Sequence, residues 1–321
     1  MKVSVVMLTY NHEQFIAQAI ESVLMQQVNF SYELVIGEDC STDSTRDIVI
    51  QYGERHPETI RLLLREKNLG AMGKPNFVDA LRHCQGKYIA MLEGDDYWTS
   101  PHKLQKQADY LDNHPECAMC FHSTKVIYDD GRPPHISSPP VYKKPYELRD
   151  LLQRNFIATV SVMFRSGLFD EFPSWYYDVP MGDWPLYVLN AEYGKIGYID
   201  EVMSVYRRHA QGCWSSRELT RNLQAGIAMY EVVNAHLDYR YDRIIKAGIF
   251  FNSYRIAMEQ GKRWSAFVNL MKCLVRSPSH HAVSSWGLSK IILELVAPEL
   301  YNHLRSRKRA HERSRTQYVK T

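Results

Sequence analysis

The sequence has no stretch approaching the roughly 20 consecutive apolar residues of a membrane span. Even the apolar segment 282–301, AVSSWGLSKIILELVAPELY, is broken by Lys290, Glu294 and Glu299. Cysteine is scarce: six residues, at 40, 84, 117, 120, 213 and 273, lack the density of a disulfide scaffold, so a reducing, cytoplasmic setting is expected. The Met-Lys start runs into only a handful of apolar residues, VSVVML, too few for the h-region of a signal peptide. Net charge is a mere +3, and no nucleic-acid partner is expected from it. What is present is ordinary globular composition, 45% hydrophobic and 23% charged, in a chain of 321 residues. That length points to one large domain with an appended region, or to two domains.

Apolar runs of strand length alternate with segments of helical period. KVSVVML reads as a strand, and Phe15, Ile16, Ala19, Ile20, Val23 and Leu24 as the apolar face of a helix. Asn11 and Gln14 have the spacing of a capping box before it. YELVIGED then STDSTRDIVIQYGERH, and TIRLLLRE then KPNFVDALRHC, repeat the unit, with Pro75 suited to a first helical turn. KYIAMLEG is a fourth strand. Successive β-α units imply an α/β fold with a mostly parallel sheet covered by helices on both faces, and ligands bind such sheets beyond the carboxyl ends of the strands. Residues 9–13, 38–43, 67–70 and 93–98 all fall there.

The fourth strand ends in MLEGDDYW, with Asp95 and Asp96 side by side. Two such carboxylates cannot both be buried unpaired, because each isolated charge costs several kcal/mol even after relaxation. A hard divalent cation, completed by substrate phosphates, would resolve the conflict. A solvated Asp-Asp turn would resolve it too, since Asp is common in turns.

Four pieces in order resemble the family 2 glycosyltransferases of the GT-A fold over about residues 1–210. They are VSVVMLTYNHEQFIAQAIESVLMQ, ELVIGEDCSTDST, KNLGAMGKPNF and YIAMLEGDDYWTSPHKLQKQ. Cys40 stands where the second motif commonly has glycine. The resemblance implies a Rossmann-like, mostly parallel nucleotide-diphospho-sugar transferase sheet and a donor site built from Thr9, Tyr10, Asn11, Asp39, Asn68, Gly70 and Asp95. By that likeness Tyr10 would lie near the base, and Asp39 would accept from the N3–H of a uracil. Asp95 would reach ribose or metal, and Asp96 would ligate Mn²⁺ or Mg²⁺ bridging the diphosphate. Left to residue preferences alone, Tyr10 could be a core aromatic and Asp39 a helix cap.

MGDWPLYVLNAEYG resembles the start of the helix carrying the family's catalytic base, which designates Asp183. A sugar hydroxyl is a weak nucleophile until a carboxylate within hydrogen-bonding reach removes its proton. A cap on the helix holding Leu186 and Leu189 is a compatible second role for Asp183. In YRRHAQGCWSS the resemblance implies His209 as a metal ligand, with Arg207 or Arg208 against the diphosphate; Arg208 is read as a donor-binding residue. Cys117 and Cys120 have no second pair at zinc spacing and read as core. GRPPHISSPPVYKKP, 131–145, reads as an irregular loop.

From about residue 218 the chain is almost free of Gly and Pro and patterned as amphipathic helices. These would pack on the catalytic domain or on a second subunit, or else bind acceptor or membrane, so a homo-oligomer is one outcome. Residues 301–321 hold seven Lys/Arg (305, 307, 308, 309, 313, 315, 320) against Glu312 alone. With Ile291, Ile292, Leu295 and Val296 at helical spacing before it, this tail would contact an anionic membrane surface or remain solvated. The expected organisation is a catalytic domain over 1–217, a helical region over 218–300 and a basic tail over 301–321. The expected function is inverting, metal-dependent transfer from a nucleotide-sugar donor, a UDP-sugar foremost, to a glycan or lipid-linked acceptor. It would take place in the cytoplasm or at the inner face of the membrane. Two alternatives stand beside it. A non-catalytic scaffold would have lost the acids, and a sugar nucleotidyltransferase would open with a Gly-rich basic loop that TYNHEQF lacks.

Overall fold

The computed structural model describes residues 1–139, 145–214 and 216–277, with Leu293 and Ala297 as isolated positions. The chain divides into two compact units, Met1–Glu218 and Leu219–Thr321.

The first unit opens with three β-α steps and a fourth strand. β1 (Val3–Thr9), α1 (Ile16–Leu24), β2 (Tyr32–Glu38), α2 (Thr45–Arg55), β3 (Ile60–Leu64), α3 (Lys74–Arg82) and β4 (Tyr88–Glu93) follow one another. Next come β5 (Tyr97–Trp98), α4 (Lys103–Asn113), β6 (Cys117–Tyr128), β7 (His135–Ser137), α5 (Leu148–Gln153), β8 (Met163–Arg165), α6 (Trp175–Asp178), α7 (Asp183–Ala191) and β9 (Lys195–Arg208). Among the described residues these strands form one nine-stranded sheet in the order β3-β2-β1-β4-β8-β6-β9-β5, with β7 paired on β6. β3, β2, β1 and β4 are mutually parallel, whereas β8 runs antiparallel between β4 and β6.

Alternation along the strands decides which helix each face receives. Val3, Val5 and Met7 with Leu34 and Ile36 point into a core that also holds Ile16, Ala19, Ile20, Val23 and Val49 of α1 and α2. The opposite face of β2 takes α3: Asn76 Nδ2 donates to the Gly37 carbonyl at 2.9 Å, and a Cβ on Gly37 would lie 2.5 Å from Asn76 Oδ1. The β1–β4 pair is interlocked at its base by Ser4 Oγ, which donates to Glu33 Oε1 at 2.6 Å and accepts from Gly86 N–H at 2.8 Å.

Two local expectations change, and one departure from the family pattern gains a structural meaning. Asn11 does not cap α1; it is left-handed (φ 55°), and the cap is Phe15 without a side-chain bond. Its Oδ1 instead accepts from Thr42 N–H at 2.8 Å, tying the first loop to the second. The supposed irregular loop contains β7, which pairs antiparallel with Thr124–Val126; residues 140–144 lie outside the described residues. Cys40 takes φ 61°, the conformation for which glycine carries no Cβ penalty, so the departure from the family's glycine is sterically costly.

In the second unit α8 (Leu219–His236), α9 (Asp242–Glu259) and α10 (Arg263–Arg276) form a helical array, with Ala247, Tyr254, Ala257, Ala266, Leu270 and Cys273 as a core. No helix among the described residues is long and apolar enough to cross a membrane. Apart from Leu293, the segment at 291–296 and the basic tail lie outside the described residues.

Candidate active site

The loops after β1, β2 and β4 meet beyond the carboxyl ends of the parallel strands. Gly94 allows the closest approach, since a Cβ there would lie 2.7 Å from Thr9 Oγ1 and 2.8 Å from His12 Nδ1. Thr9 is buried and its hydroxyl faces His12 Nδ1 at 3.3 Å. Tyr10 is 39% exposed, so it is no core aromatic.

Asp39 is no helix cap either. Its Oδ1 accepts from Leu69 N–H at 2.9 Å, while its carbonyl accepts from Asn68 Nδ2 at 3.1 Å. Asn68 Oδ1 accepts from Gly70 N–H at 2.8 Å, and Gly70 takes φ 63°, so the Asn-x-Gly turn is built around Asp39. Burial raises the Asp39 carboxyl, against the opposing pull of Leu69 N–H and Arg65.

The acidic pair is met by the end of β9. β5 pairs antiparallel with β9, Tyr97 opposite Val205 and Trp98 opposite Ser204, which carries residues 207–209 alongside 95 and 96. His209 Nε2 lies 2.9 Å from Asp95 Oδ2, and His12 Nε2 lies 4.0 Å from the same oxygen. Asp96 is 1% exposed, and its Oδ1 accepts the Arg207 backbone N–H at 2.8 Å. Arg207 also donates a guanidinium N–H to the Asp95 carbonyl and another to Gln18 Oε1, and lies over the Phe15 and Tyr97 rings. Of the two candidate arginines, Arg207 makes the contacts with the acidic loop; the Arg208 guanidinium lies 5.9 Å from the Tyr128 ring centroid.

Burial acts on the two aspartates alike, but their neighbours separate them. For Asp95 the upward push of burial is overcome by His209 and His12, and its carboxyl falls below the usual range. Asp96 is raised by burial and then by the charge of Asp95. Burial lowers His12, offset in part by Asp95.

Asp183 is the first residue of α7, after Gly182 at the N-cap. Asn155 Nδ2 donates to its Oδ2 at 3.4 Å. Burial raises its carboxyl, opposed by the N–H groups of Trp184 and Asp183 and by Asn155. Glu93, the last residue of β4, ties the two ends together: burial first, then the charges of Asp95 and Asp183, push it up to about 8. One acidic basin thus holds Glu93, Asp95, Asp96 and Asp183. His12 and Glu93 lay inside quoted motifs without an assigned role, and only the tertiary neighbourhood singles them out.

Among the described residues no three His, Cys, Asp or Glu groups converge as a complete metal cage. The donor set nevertheless suits Mn²⁺ or Mg²⁺. Such ions are commonly held by one or two carboxylates and completed by substrate phosphates and water, and imidazole suits first-row transition metals.

A curled α/β sheet with an acidic pair at the end of β4 and a carboxylate at the head of a later helix defines a nucleotide-sugar transferase fold. The family model for glycosyl transferase family 2 matches residues 4–172, and the chain belongs to that family. An uncharacterised protein of Mycobacterium tuberculosis is 42% identical over 214 residues, 66% of this chain and 60% of its own length. The chain therefore spans less than two thirds of that relative. The structure of residues 1–349 of Staphylococcus aureus TarS in complex with UDP-GlcNAc superposes with a TM-score of 0.60 at 20% identity, covering 94% of this chain and 88% of that one. TarS itself is named a poly(ribitol-phosphate) β-N-acetylglucosaminyltransferase. The mannosyltransferase PcManGT of Pyrobaculum calidifontis, in complex with GDP-Man and Mn²⁺, superposes with a TM-score of 0.54 at 14% identity, covering 95% and 83%. Both structures share the GT-A fold with this chain.

Proposed function

We propose that this glycosyltransferase moves a sugar from a nucleotide diphosphate donor, a UDP-sugar foremost, to a hydroxyl of a glycan or lipid-linked glycan, with inversion at the anomeric carbon. The observation that carries the reading is the meeting of the acidic pair with the end of β9, where His209 Nε2 lies 2.9 Å from Asp95 Oδ2 and Arg207 N–H donates to Asp96 Oδ1, in a basin whose charges also include Glu93 and Asp183. It brings a pole suited to a metal diphosphate and a pole suited to a base into one site. UDP-GlcNAc in TarS and Mn²⁺ in PcManGT support the donor class and the metal.

In this reading Tyr10 stacks on the base, and Asp39 receives the N3–H of uracil on Oδ2, which makes no hydrogen bond among the described residues. Thr9, Asn11, Asn68 and Gly70 shape the walls of that pocket. Asp95, Asp96 and His209 would hold Mn²⁺ or Mg²⁺, with Arg207 fixing the acidic loop and Arg208 assigned to the diphosphate. When bound, the ion would offset the negative charge that develops on the departing diphosphate. Asp183 takes the proton of the acceptor hydroxyl as its oxygen bonds to the anomeric carbon; the old C–O bond breaks, and its electron pair leaves with the nucleoside diphosphate. The raised carboxyl suits this task, because a base works better as its pKa approaches the working pH.

The catalytic domain would comprise 1–217, the helices 218–300 an adjoining region, and 301–321 a basic tail recruiting the enzyme to anionic lipid at the inner face of the membrane. Membership of the family speaks against the nucleotidyltransferase alternative, and retention of the acids against the scaffold alternative.

A screen of UDP- and GDP-sugars for donor hydrolysis, with and without Mn²⁺, tests the donor and metal together. Asp183→Asn is expected to keep donor affinity by calorimetry while transfer falls about 10²- to 10⁴-fold. Because Asp183 must be ionised to act and its carboxyl is raised, the rate should climb with pH through an acid limb above the ordinary carboxylate range. That limb should vanish in the variant. A product retaining the donor's anomeric configuration would exclude the single displacement.

A further inference from the structure

Lys74, the first residue of α3, is 3% exposed; among the described residues no carboxylate lies within ion-pair distance of it, and the charge of Asp178, in the segment it holds, acts on it from farther off. Its ammonium donates to three main-chain carbonyls of a segment about 100 residues away: Tyr176 at 3.1 Å, Tyr177 at 2.7 Å, and Val179. Hydrogen bonds from an ionised donor are roughly twice as strong as neutral ones, and three from one head group hold a segment whose regular structure is the single turn α6. The aliphatic stem continues the contact, since a Cβ on Gly182 would lie 3.2 Å from Lys74 Cγ. Tyr176 then closes the segment on itself, its hydroxyl donating to the Gly182 carbonyl at 3.0 Å. The next residue is Asp183.

The other end of Lys74 is equally constrained. It comes after Met72 and Gly73, both left-handed (φ 55° and 75°), at the end of the turn whose Asn68 and Leu69 grip Asp39. A loop that would touch the nucleotide and a loop that would present the base therefore share one cation.

We propose that Lys74 is a positioning residue: by clamping the carbonyls of 176–179 it couples the Asn68–Gly73 turn to the placement of Asp183, an inference that rests on reading Asp183 as the base. The clamp fixes α6, the Gly182 cap and the start of α7 relative to the acidic pair. A shift of the 68–73 turn on donor binding is passed to the acceptor side through the backbone of Lys74.

The test uses the full chain as wild type, Lys74→Met, Lys74→Arg, Tyr176→Phe and Asp183→Asn. Amide hydrogen exchange without ligand reads the clamp directly. Lys74→Met should speed exchange in 174–183 by about tenfold or more, because local opening no longer breaks the three bonds, and leave β1–β4 unchanged. With UDP-GlcNAc or GDP-mannose, whichever the wild type turns over, kcat should fall about 100-fold, the scale of an ångström-level misplacement, with donor KM little changed. Lys74→Arg should restore part of the loss. Unchanged exchange in 174–183 overturns the proposal, as does a rise in KM with kcat intact, which would make Lys74 a direct donor ligand. Asp183→Asn separates the two readings: full turnover in that variant sinks the base assignment, while the exchange result still judges the clamp. Should Lys74→Met fail to fold, Tyr176→Phe must give a smaller kcat loss of the same kind, and full turnover in it counts against the clamp.

Discussion

Lys103 begins α4 with its ammonium fully buried, 3.8 Å from the Trp98 ring centroid and without a hydrogen-bond partner among the described residues. Burial lowers its pKa to about 7. Unfolded, the same amine titrates near ~10.4, so between those values the unfolded chain binds the extra proton and stability rises with pH. The cost of the buried amine is complete below about pH 7 and fades toward pH 10. Lys103→Met should thus stabilise the protein at pH 7 by about 1–3 kcal/mol, as for other buried charges replaced by apolar side chains. That advantage should narrow as the pH rises. Urea unfolding of both proteins at pH 7, 8 and 9 gives the comparison, and an advantage independent of pH would place the amine's charge elsewhere. At this same scale the site residues were unequally legible. Asp39, Asp95, Asp96 and Asp183 stood out as acids at the ends or beginnings of readable elements. His12 and Lys74 did not, because an isolated His or Lys in a loop carries no periodicity, and its partners lie on other elements.

The elements owe their legibility to a short-range cause. Strand and helix periods are set by the nearest few residues, so β1 to β4 and their helices could be read from alternation and apolar stripes. α5, α6, β5 and β7 are too short for periodicity to register. Close approach between elements is equally invisible to pattern. Gly86 precedes β4, and a Cβ on it would lie 2.3 Å from Ser4 N and 2.7 Å from Val3 C. Those atoms belong to the backbone of β1, which is paired on both sides and cannot yield. Gly86→Ala should therefore cost roughly 1–3 kcal/mol, the range for overpacking in a close-packed interior, read as a lower urea midpoint. A variant as stable as wild type would mean that the β1–β4 base is looser than its hydrogen bonds indicate.

At the scale of the molecule, the nine strands and every residue assigned to the site fall within Met1–Glu218, which has its own core around Val5, Ile20, Leu34, Leu92 and Trp98. A chain ending at Glu218 should fold alone, unfold in one cooperative transition by heat, and bind UDP as the full chain does. Calorimetry of both forms decides it, and aggregation of the shorter chain would make the helical unit part of the folding unit. The sequence shows a change in Gly and Pro content near residue 218. The basic tail was visible only as composition.

The sequence by itself determined that a parallel β-α sheet would end in clustered acids, since side-chain alternation and apolar runs are local properties and ligand sites of such sheets lie beyond their carboxyl ends. It also carried the motifs that mark the family. Only the tertiary structure decided which residues meet. β8 enters antiparallel between β4 and β6, and β5 pairs with the end of β9. Those two pairings bring His209 to Asp95 and select Arg207 over Arg208 for the acidic loop. The fold likewise carries Lys74 to the carbonyls in front of Asp183. The physical reason is that contacts between residues so distant along the chain are specified by the order and direction of strands in the sheet, which no window of the sequence contains.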